Sequence, residues 1–226
     1  MGLYDVPAIA KYIQDKKSTN SETKITYIGH SQGTAQYFSG MTLIPEFYLK
    51  TFTGIIALGP VSNLTNLKPI PFRLLAELNI DKILYELGIT EMFENSEAAD
   101  KLSTFLCSNF NLICDGFLKL FVDNTLEDDD KERSLVLLAH YPSGASLKAF
   151  THFAQSIRNK NFANMNNVPY DLSKAKGQKI SLIVGSADLL ATPEDNRKFK
   201  EDLEKLDMLD FYKEYENIGY GTFLYS

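Results

Sequence analysis

Short apolar runs alternate with amphipathic stretches toward both ends of the chain. Residues 24–33 form an apolar run that ends abruptly in Gly-His-Ser-Gln-Gly. Further runs predict three more short strands, at 54–58, 179–184 and about 209–215. Helical spacing is found at 3–16 and again at 193–206, between the last two strands. Strands separated by helices are typical of an α/β fold with a mostly parallel sheet.

The middle of the chain follows a different pattern. From about residue 62 to residue 165 the strand alternation is lost, and aromatic-rich helical patterns replace it at 72–87, 98–110 and 147–162. A long helical insertion between sheet strands is where this kind of fold carries a cap over its active site. We therefore expect a first part of the core over 1–61, a helical cap over 62–165 and the last part of the core over 166–226.

The end of the first apolar run carries the strongest chemical signal. Gly29-His30-Ser31-Gln32-Gly33 is a Gly-x-Ser-x-Gly pattern between a strand and a helix-compatible stretch, which is the context of a nucleophile elbow. The tight turn is expected to strain Ser31 and to present its hydroxyl at the top of the sheet. We expect glycine to be needed at 29 and 33 because a side chain would collide with the neighbouring strand or helix. The N–H of Gln32, at the helix N-terminus, is the expected oxyanion donor.

A serine nucleophile needs a base and a group that orients the base. Asp188 follows the strand at 179–184, so it is expected at the sheet edge where ligands of open α/β sheets bind. The alternative is that Asp188 caps the helix that begins near Pro193. Thr192, directly before that proline, is better placed for capping. Asp188 is therefore the predicted catalytic acid.

No histidine stands where the base is expected. Hydrolases of this fold order their catalytic residues as serine, acid and histidine, yet all three histidines precede Asp188. His140 and His152 are in the wrong order. His30, beside the nucleophile, is expected to line the pocket. The segment after the last strand contains no histidine.

These motifs resemble the acid lipases, the gastric and lysosomal type of triacylglycerol and cholesteryl-ester lipase within the α/β-hydrolase fold. The resemblance extends over nearly all 226 residues. Its most specific segments are 29–34, 56–61, 140–146, 152–155 and 188–191. It implies Ser31 as the nucleophile, Asp188 as the triad acid and hydrolysis of long-chain fatty-acid esters through an acyl-enzyme, with no cofactor and no metal.

The chain departs from this family in three places. Tyr220 occupies the position of the family's catalytic histidine, and tyrosine, with an ordinary pKa of about 10, cannot act as the base at neutral or acidic pH. The family's oxyanion segment, His-Gly-Leu, and its first strands correspond to sequence upstream of Met1. Its terminal helix corresponds to sequence beyond Ser226. We therefore expect a lipase cut at both ends, with its N-terminal strands missing and with little or no turnover.

Two alternatives to a lipase come from other classes of function. A non-catalytic relative that binds lipid or a protein partner would keep the elbow as a relic. A peptidase or an acyltransferase is also compatible, because fold does not determine substrate.

Composition narrows the expected partners. An apolar content of 44% is ordinary for a globular enzyme, and a net charge of −6 disfavours nucleic acid and a polybasic membrane patch. No run reaches the ~18 apolar residues of a membrane span, and Met1 begins no signal peptide. The acidic run at 127–130 lacks the spaced oxygens of a calcium loop, so no metal site is expected. The expected partners are a lipid ester substrate and a lipid droplet or micelle interface.

Two features bear on the compartment. Cys107 and Cys114 are compatible with two buried thiols, but the resemblance implies a disulfide and therefore an oxidising compartment. Asn63-Leu64-Thr65 is a glycosylation sequon that would be usable in the same compartment. The resemblance accordingly implies a secreted protein or one of the lysosomal or endomembrane lumen.

Overall fold

The fold is known from a computed structural model that describes residues 1–17, 23–92 and 144–225. The strands in these ranges are β1 (Ile25–Ser31), β2 (Phe52–Pro60), β3 (Glu91–Met92), β4 (Ala145–Ser146), β5 (Ile180–Gly185) and β6 (Leu209–Tyr215). Within the described part of the chain, one four-stranded sheet has the order β1-β2-β5-β6, and every neighbouring pair in it is parallel. The strands therefore end at one common edge, which is where this class of sheet binds its ligands.

Helices pack against this sheet and also form a separate group. They are α1 (Asp5–Lys17), α2 (Gln32–Leu43), α3 (Pro45–Thr51), α4 (Ile70–Glu77), α5 (Ile80–Glu86), α6 (Leu147–Asn159), α7 (Pro193–Lys205) and α8 (Thr222–Tyr225), with a 3₁₀ turn at Leu172–Ala175. The single helix predicted over 72–87 is wrong, because Asn79 is left-handed with a φ of 54° and separates α4 from α5. The helix predicted over 147–162 ends earlier, at a left-handed Lys160.

The main core lies between the sheet and α2. Tyr37, Phe38 and Met41 are fully buried on that helix. The ring of Tyr37 packs edge-on against Tyr48 and Phe52, with ring centroids 4.9 and 5.4 Å away. Burial raises the pKa of both tyrosines, so each hydroxyl stays protonated and donates a hydrogen bond, Tyr37 to Gln178 and Tyr48 to the carbonyl of Gly2, both at 2.7 Å.

The described residues of the predicted cap are mainly helical. Helices α4, α5 and α6 pack together, and Arg158 on α6 forms a 2.7 Å ion pair with the buried Asp81 on α5. The expected lack of strands between 62 and 165 is wrong at one point, because β3 and β4 form a short antiparallel pair.

Other sequence-based predictions for the cap lie outside the described residues. They concern the helix at 98–110, the pairing of Cys107 with Cys114, the acidic run at 127–130 and the segment around His140. The three-part division at residues 61 and 165 stays a prediction. Among the helices in the described ranges, none is both long enough and apolar enough to cross a membrane.

Candidate active site

Ser31 occupies a strained corner between a strand and a helix. It is the last residue of β1, and α2 begins at the next residue. Its φ of 54° and ψ of −120° lie outside the regions that L-residues prefer. Strain of this kind persists only when the surroundings enforce it, and it is typical of the serine in a nucleophile elbow.

Thr34 is the residue that holds this corner, and the sequence analysis did not single it out. The side chain is fully buried on the first turn of α2. Its hydroxyl donates a 2.6 Å hydrogen bond to the carbonyl of Ser31 and accepts a 2.8 Å hydrogen bond from the N–H of Val61, just beyond β2. One side chain thus joins the strained serine to the neighbouring strand. A threonine directly after the Gly-x-Ser-x-Gly pattern was the available sequence signal.

The two glycines of the elbow differ in what they permit. A Cβ on Gly29 would lie 2.8 Å from a ring carbon of Tyr27 and 3.1 Å from backbone atoms of Gly33 and Thr34, which confirms the expected collision. The same expectation is wrong for Gly33. A Cβ there would meet only the hydroxyl of Tyr27, at an ordinary contact distance of 3.7 Å.

Asp188 lies in the turn that follows β5 and is almost entirely buried. Its Oδ1 accepts hydrogen bonds from the backbone N–H groups of Leu190 and Ala191, at 2.8 and 2.7 Å. The hydroxyl of Thr192 accepts from the N–H of Asp195 and so caps α7, as the sequence predicts. The carboxylate of Asp188 is therefore oriented by its own turn rather than used as a helix cap.

Tyr220, in the loop after β6, reaches the candidate nucleophile. Its hydroxyl donates a hydrogen bond to Oγ of Ser31. Its carbonyl lies 3.1 Å from Nε2 of His30, and the two rings are 4.7 Å apart between centroids. Because a carbonyl can only accept, Nε2 of His30 carries the hydrogen. Burial lowers the pKa of His30, and this outweighs the opposite effect of the hydrogen bond to Tyr220.

The predicted site residues converge on one edge of the sheet. Gly59, near the end of β2, has a φ of 51°, and a Cβ there would lie 3.4 Å from Oδ2 of Asp188 and 3.5 Å from Nε2 of His30. Asp188 and His30 therefore meet over Gly59, and Tyr220 contacts both His30 and Ser31. A glycine before a proline at a strand end was the sequence signal for this position.

Two other residues that the sequence analysis named bond to their own neighbours in the structure. His152 is on α6, where its Nε2 lies 2.6 Å from the carbonyl of Ala163. Asn63 is half-buried, and its Oδ1 accepts hydrogen bonds from the N–H of Leu64 and the hydroxyl of Thr65, at 2.8 and 2.9 Å. In the described ranges no three histidine, cysteine or acidic side chains gather into a potential metal site.

Comparison with known proteins finds curated relatives over the whole of this chain. Rat gastric triacylglycerol lipase is 30% identical over 249 aligned positions, which cover 100% of this chain and 59% of the rat protein. The chain is a homologue of the gastric and acid lipases. Human gastric triacylglycerol lipase is 27% identical over 100% of this chain and 59% of its own length, and Lipase 3 of Drosophila melanogaster is 26% identical. No protein-family model matches the chain.

Solved structures identify the fold of this lipase homologue. A monoacylglycerol lipase from Paleococcus ferrophilus superposes with a TM-score of 0.51 at 15% identity, over 96% of this chain and 66% of that chain. A protein described as a non-haem bromoperoxidase from Mycobacterium tuberculosis superposes with a TM-score of 0.53 at 12% identity, over 98% and 66%. The predicted α/β-hydrolase fold is confirmed. The chain spans about three-fifths of the length of the gastric lipases that it matches.

Proposed function

We propose that this chain carries the acyl-transfer centre of a lipase-type carboxylic-ester hydrolase that acts on long-chain fatty-acid esters. The observation that carries the proposal is the strained backbone of Ser31 between β1 and α2. Asp188 follows a strand of the same parallel sheet and so lies at the same edge as this serine. The similar proteins are triacylglycerol lipases, which supports an ester as the substrate.

Each residue then has a defined role in the chemistry. Oγ of Ser31 attacks the ester carbonyl, and the N–H of Gln32 stabilises the negative charge that develops on the carbonyl oxygen. In a relative with a histidine at position 220, that histidine would take the serine proton and pass it to the departing alcohol, while the carboxylate at position 188 would stabilise the charged base. Water then releases the fatty acid. The chemistry needs no cofactor and no metal.

Tyr220 is the feature that limits this chemistry. Its hydroxyl donates to Oγ of Ser31, and a hydrogen bond accepted by that oxygen makes it a weaker nucleophile. Its reference pKa of about 10 leaves it protonated at neutral pH, so it cannot take up the serine proton. We therefore propose that turnover is low in this chain. The same contact favours a second candidate function, a lipid-binding protein that retains the elbow without using it.

Substitution at position 220 tests the proposal. Tyr220→His introduces a base, whereas Tyr220→Phe only removes the hydroxyl. We expect a fluorophosphonate probe to label Ser31 in Tyr220→His on the order of 100-fold or more faster than in Tyr220→Phe, because a positioned general base contributes about 10²–10⁴-fold. Hydrolysis of a p-nitrophenyl ester should rise in parallel, and Ser31→Ala should abolish both signals.

The result that would overturn the proposal is equal labelling of the two variants at position 220, with both folded by circular dichroism. That outcome would favour the non-catalytic alternative.

The proposed setting follows from the same homologues. The partners would be a lipid ester and the droplet or micelle surface that carries it. A secreted or lysosomal-lumen location would allow a disulfide between Cys107 and Cys114 and a glycan on Asn63. Mass determination of the protein from secreting cells, before and after reduction and glycosidase treatment, tests both modifications.

A further inference from the structure

Asp195 is a buried carboxylate near the turn of Asp188 that the proposed chemistry does not use. It lies on the first turn of α7, three residues after the N-cap Thr192, and is 4% exposed. An acidic residue at this place commonly closes a capping box by accepting from the N–H of the N-cap residue. Both oxygens of Asp195 instead accept from Asn66, Oδ2 from its N–H at 2.9 Å and Oδ1 from its Nδ2 at 2.8 Å. Since a buried charge is costly unless it is hydrogen-bonded, Asp195 depends on Asn66 and in return fixes residues 66–68, the clamp segment.

The clamp segment contacts the turn of Asp188 directly. The N–H of Lys68 donates to the carbonyl of Leu189 at 3.0 Å. Leu67 is buried in the same apolar cluster as Ala191. Leu189 and Ala191 belong to the turn whose backbone N–H groups bind Oδ1 of Asp188. The clamp segment therefore supports the turn that orients this carboxylate.

Asn196 provides a second support for the same turn. It is 1% exposed, and its Nδ2 donates to the carbonyls of Ala191 and Thr192 at 2.9 and 3.1 Å. Helix α7 thus supports the turn twice, directly through Asn196 and indirectly through Asp195 and the clamp segment.

We propose that Asp195 is a positioning residue that keeps the carboxylate of Asp188 in its orientation. It fixes the clamp segment against the turn, so that the N–H groups of Leu190 and Ala191 stay directed at Oδ1. The importance of that orientation for ester hydrolysis rests on the function proposed above, because a misplaced orienting group slows the reaction even from a distance. The orientation itself does not rest on it and is measured separately.

An exchange of the two side chains tests the proposal. Asn66→Asp places a second carboxylate where an amide now donates, so the two like charges repel and the clamp segment should leave the turn. The double variant Asn66→Asp/Asp195→Asn restores one carboxylate and one amide in the opposite arrangement. It also leaves an oxygen at position 195 to accept from the N–H of residue 66. Asp202→Asn is the matched control, since Asp202 lies on the same helix and pairs with Lys205 at the surface.

Amide hydrogen exchange, followed by NMR on the full chain, reports the orientation without turnover. The rates at Leu190 and Ala191 are expressed relative to the rate at Leu182, which is fully buried in β5 and reports the stability of the whole fold. We expect both relative rates to rise about fivefold or more in Asn66→Asp, since a hydrogen bond stabilises by about that factor. The double variant and Asp202→Asn should exchange like the wild type.

Unchanged relative exchange at Leu190 and Ala191 in folded Asn66→Asp would overturn the assignment. Failure of the double variant to restore the wild-type rates would overturn it as well. Asn66→Ala removes only the Nδ2 donor, so it gives the same comparison with a smaller expected effect and keeps the test decisive if Asn66→Asp does not fold.

Fluorophosphonate labelling in the Tyr220→His background connects the orientation to the chemistry. We expect Asn66→Asp to slow the labelling of Ser31 about tenfold or more and the double variant to restore it. Absence of labelling in Tyr220→His itself would refute the hydrolase, while hydrogen exchange still decides whether Asp195 positions Asp188. Labelling that stays unchanged in a variant with accelerated exchange would refute the positioning role and retain the hydrolase.

Discussion

Thr34→Val removes the hydroxyl that joins the strained serine to the neighbouring strand, with almost no change in side-chain shape. The wild-type hydroxyl donates to the carbonyl of Ser31 at 2.6 Å and accepts from the N–H of Val61 at 2.8 Å, in a position with no solvent exposure. The change therefore removes two buried hydrogen bonds and leaves the Val61 N–H without this acceptor. At about 1–2 kcal/mol for each group, we expect the free energy of unfolding to fall by about 2–4 kcal/mol.

Urea unfolding followed by circular dichroism measures this loss, and Thr42→Val provides the control. Thr42 is also buried on α2, but its hydroxyl donates only to the carbonyl of Ser39, three residues earlier in the same helix. We expect Thr42→Val to cost about 1 kcal/mol or less, because a helical carbonyl keeps its backbone partner. Equal losses for the two variants would refute the claim that Thr34 holds the elbow.

Two further predictions concern the elbow and its histidine. Gly29→Ala should lower the free energy of unfolding by about 1–3 kcal/mol through overpacking. Gly33→Ala should raise it by about 0.5–1 kcal/mol, because alanine is favoured in a helix and its Cβ has room there. Urea unfolding that changed the stability of both variants in the same direction would contradict this. Burial lowers the pKa of His30, so the unfolded chain binds more protons than the folded one between about pH 6.5 and that lowered pKa. The wild type should therefore lose stability relative to His30→Gln as pH falls below about 6.5, and a pH-independent difference in thermal unfolding between the two would refute the assignment.

The sequence predicted the elements whose signals are local. The alternation of apolar runs and helical spacings located β1, β2, β5 and β6 to within a few residues. The proline after Thr192 correctly identified the cap of α7. Local signals failed where one backbone angle decided the outcome, as at Asn79, because asparagine is allowed in both helical and left-handed conformations.

Several contacts of the candidate site join residues far apart in the chain, so local signals could not predict them. The Gly-x-Ser-x-Gly motif predicted a strained serine. It did not predict that the Thr34 hydroxyl would accept from the N–H of Val61, or that there would be room for a Cβ at Gly33. The position of Tyr220 followed from resemblance alone, and the structure shows its hydroxyl against Oγ of Ser31.

The order of residues along this chain determined which segments become strands and helices, and it placed the candidate nucleophile Ser31 between two of them. Backbone conformation depends mainly on near neighbours, so these properties can be read locally. Only the tertiary structure decided which side chains meet at the end of the sheet, where Tyr220 contacts both Ser31 and His30. Those contacts depend on how parallel strands from distant parts of the chain align, and that alignment is determined by packing of the whole core.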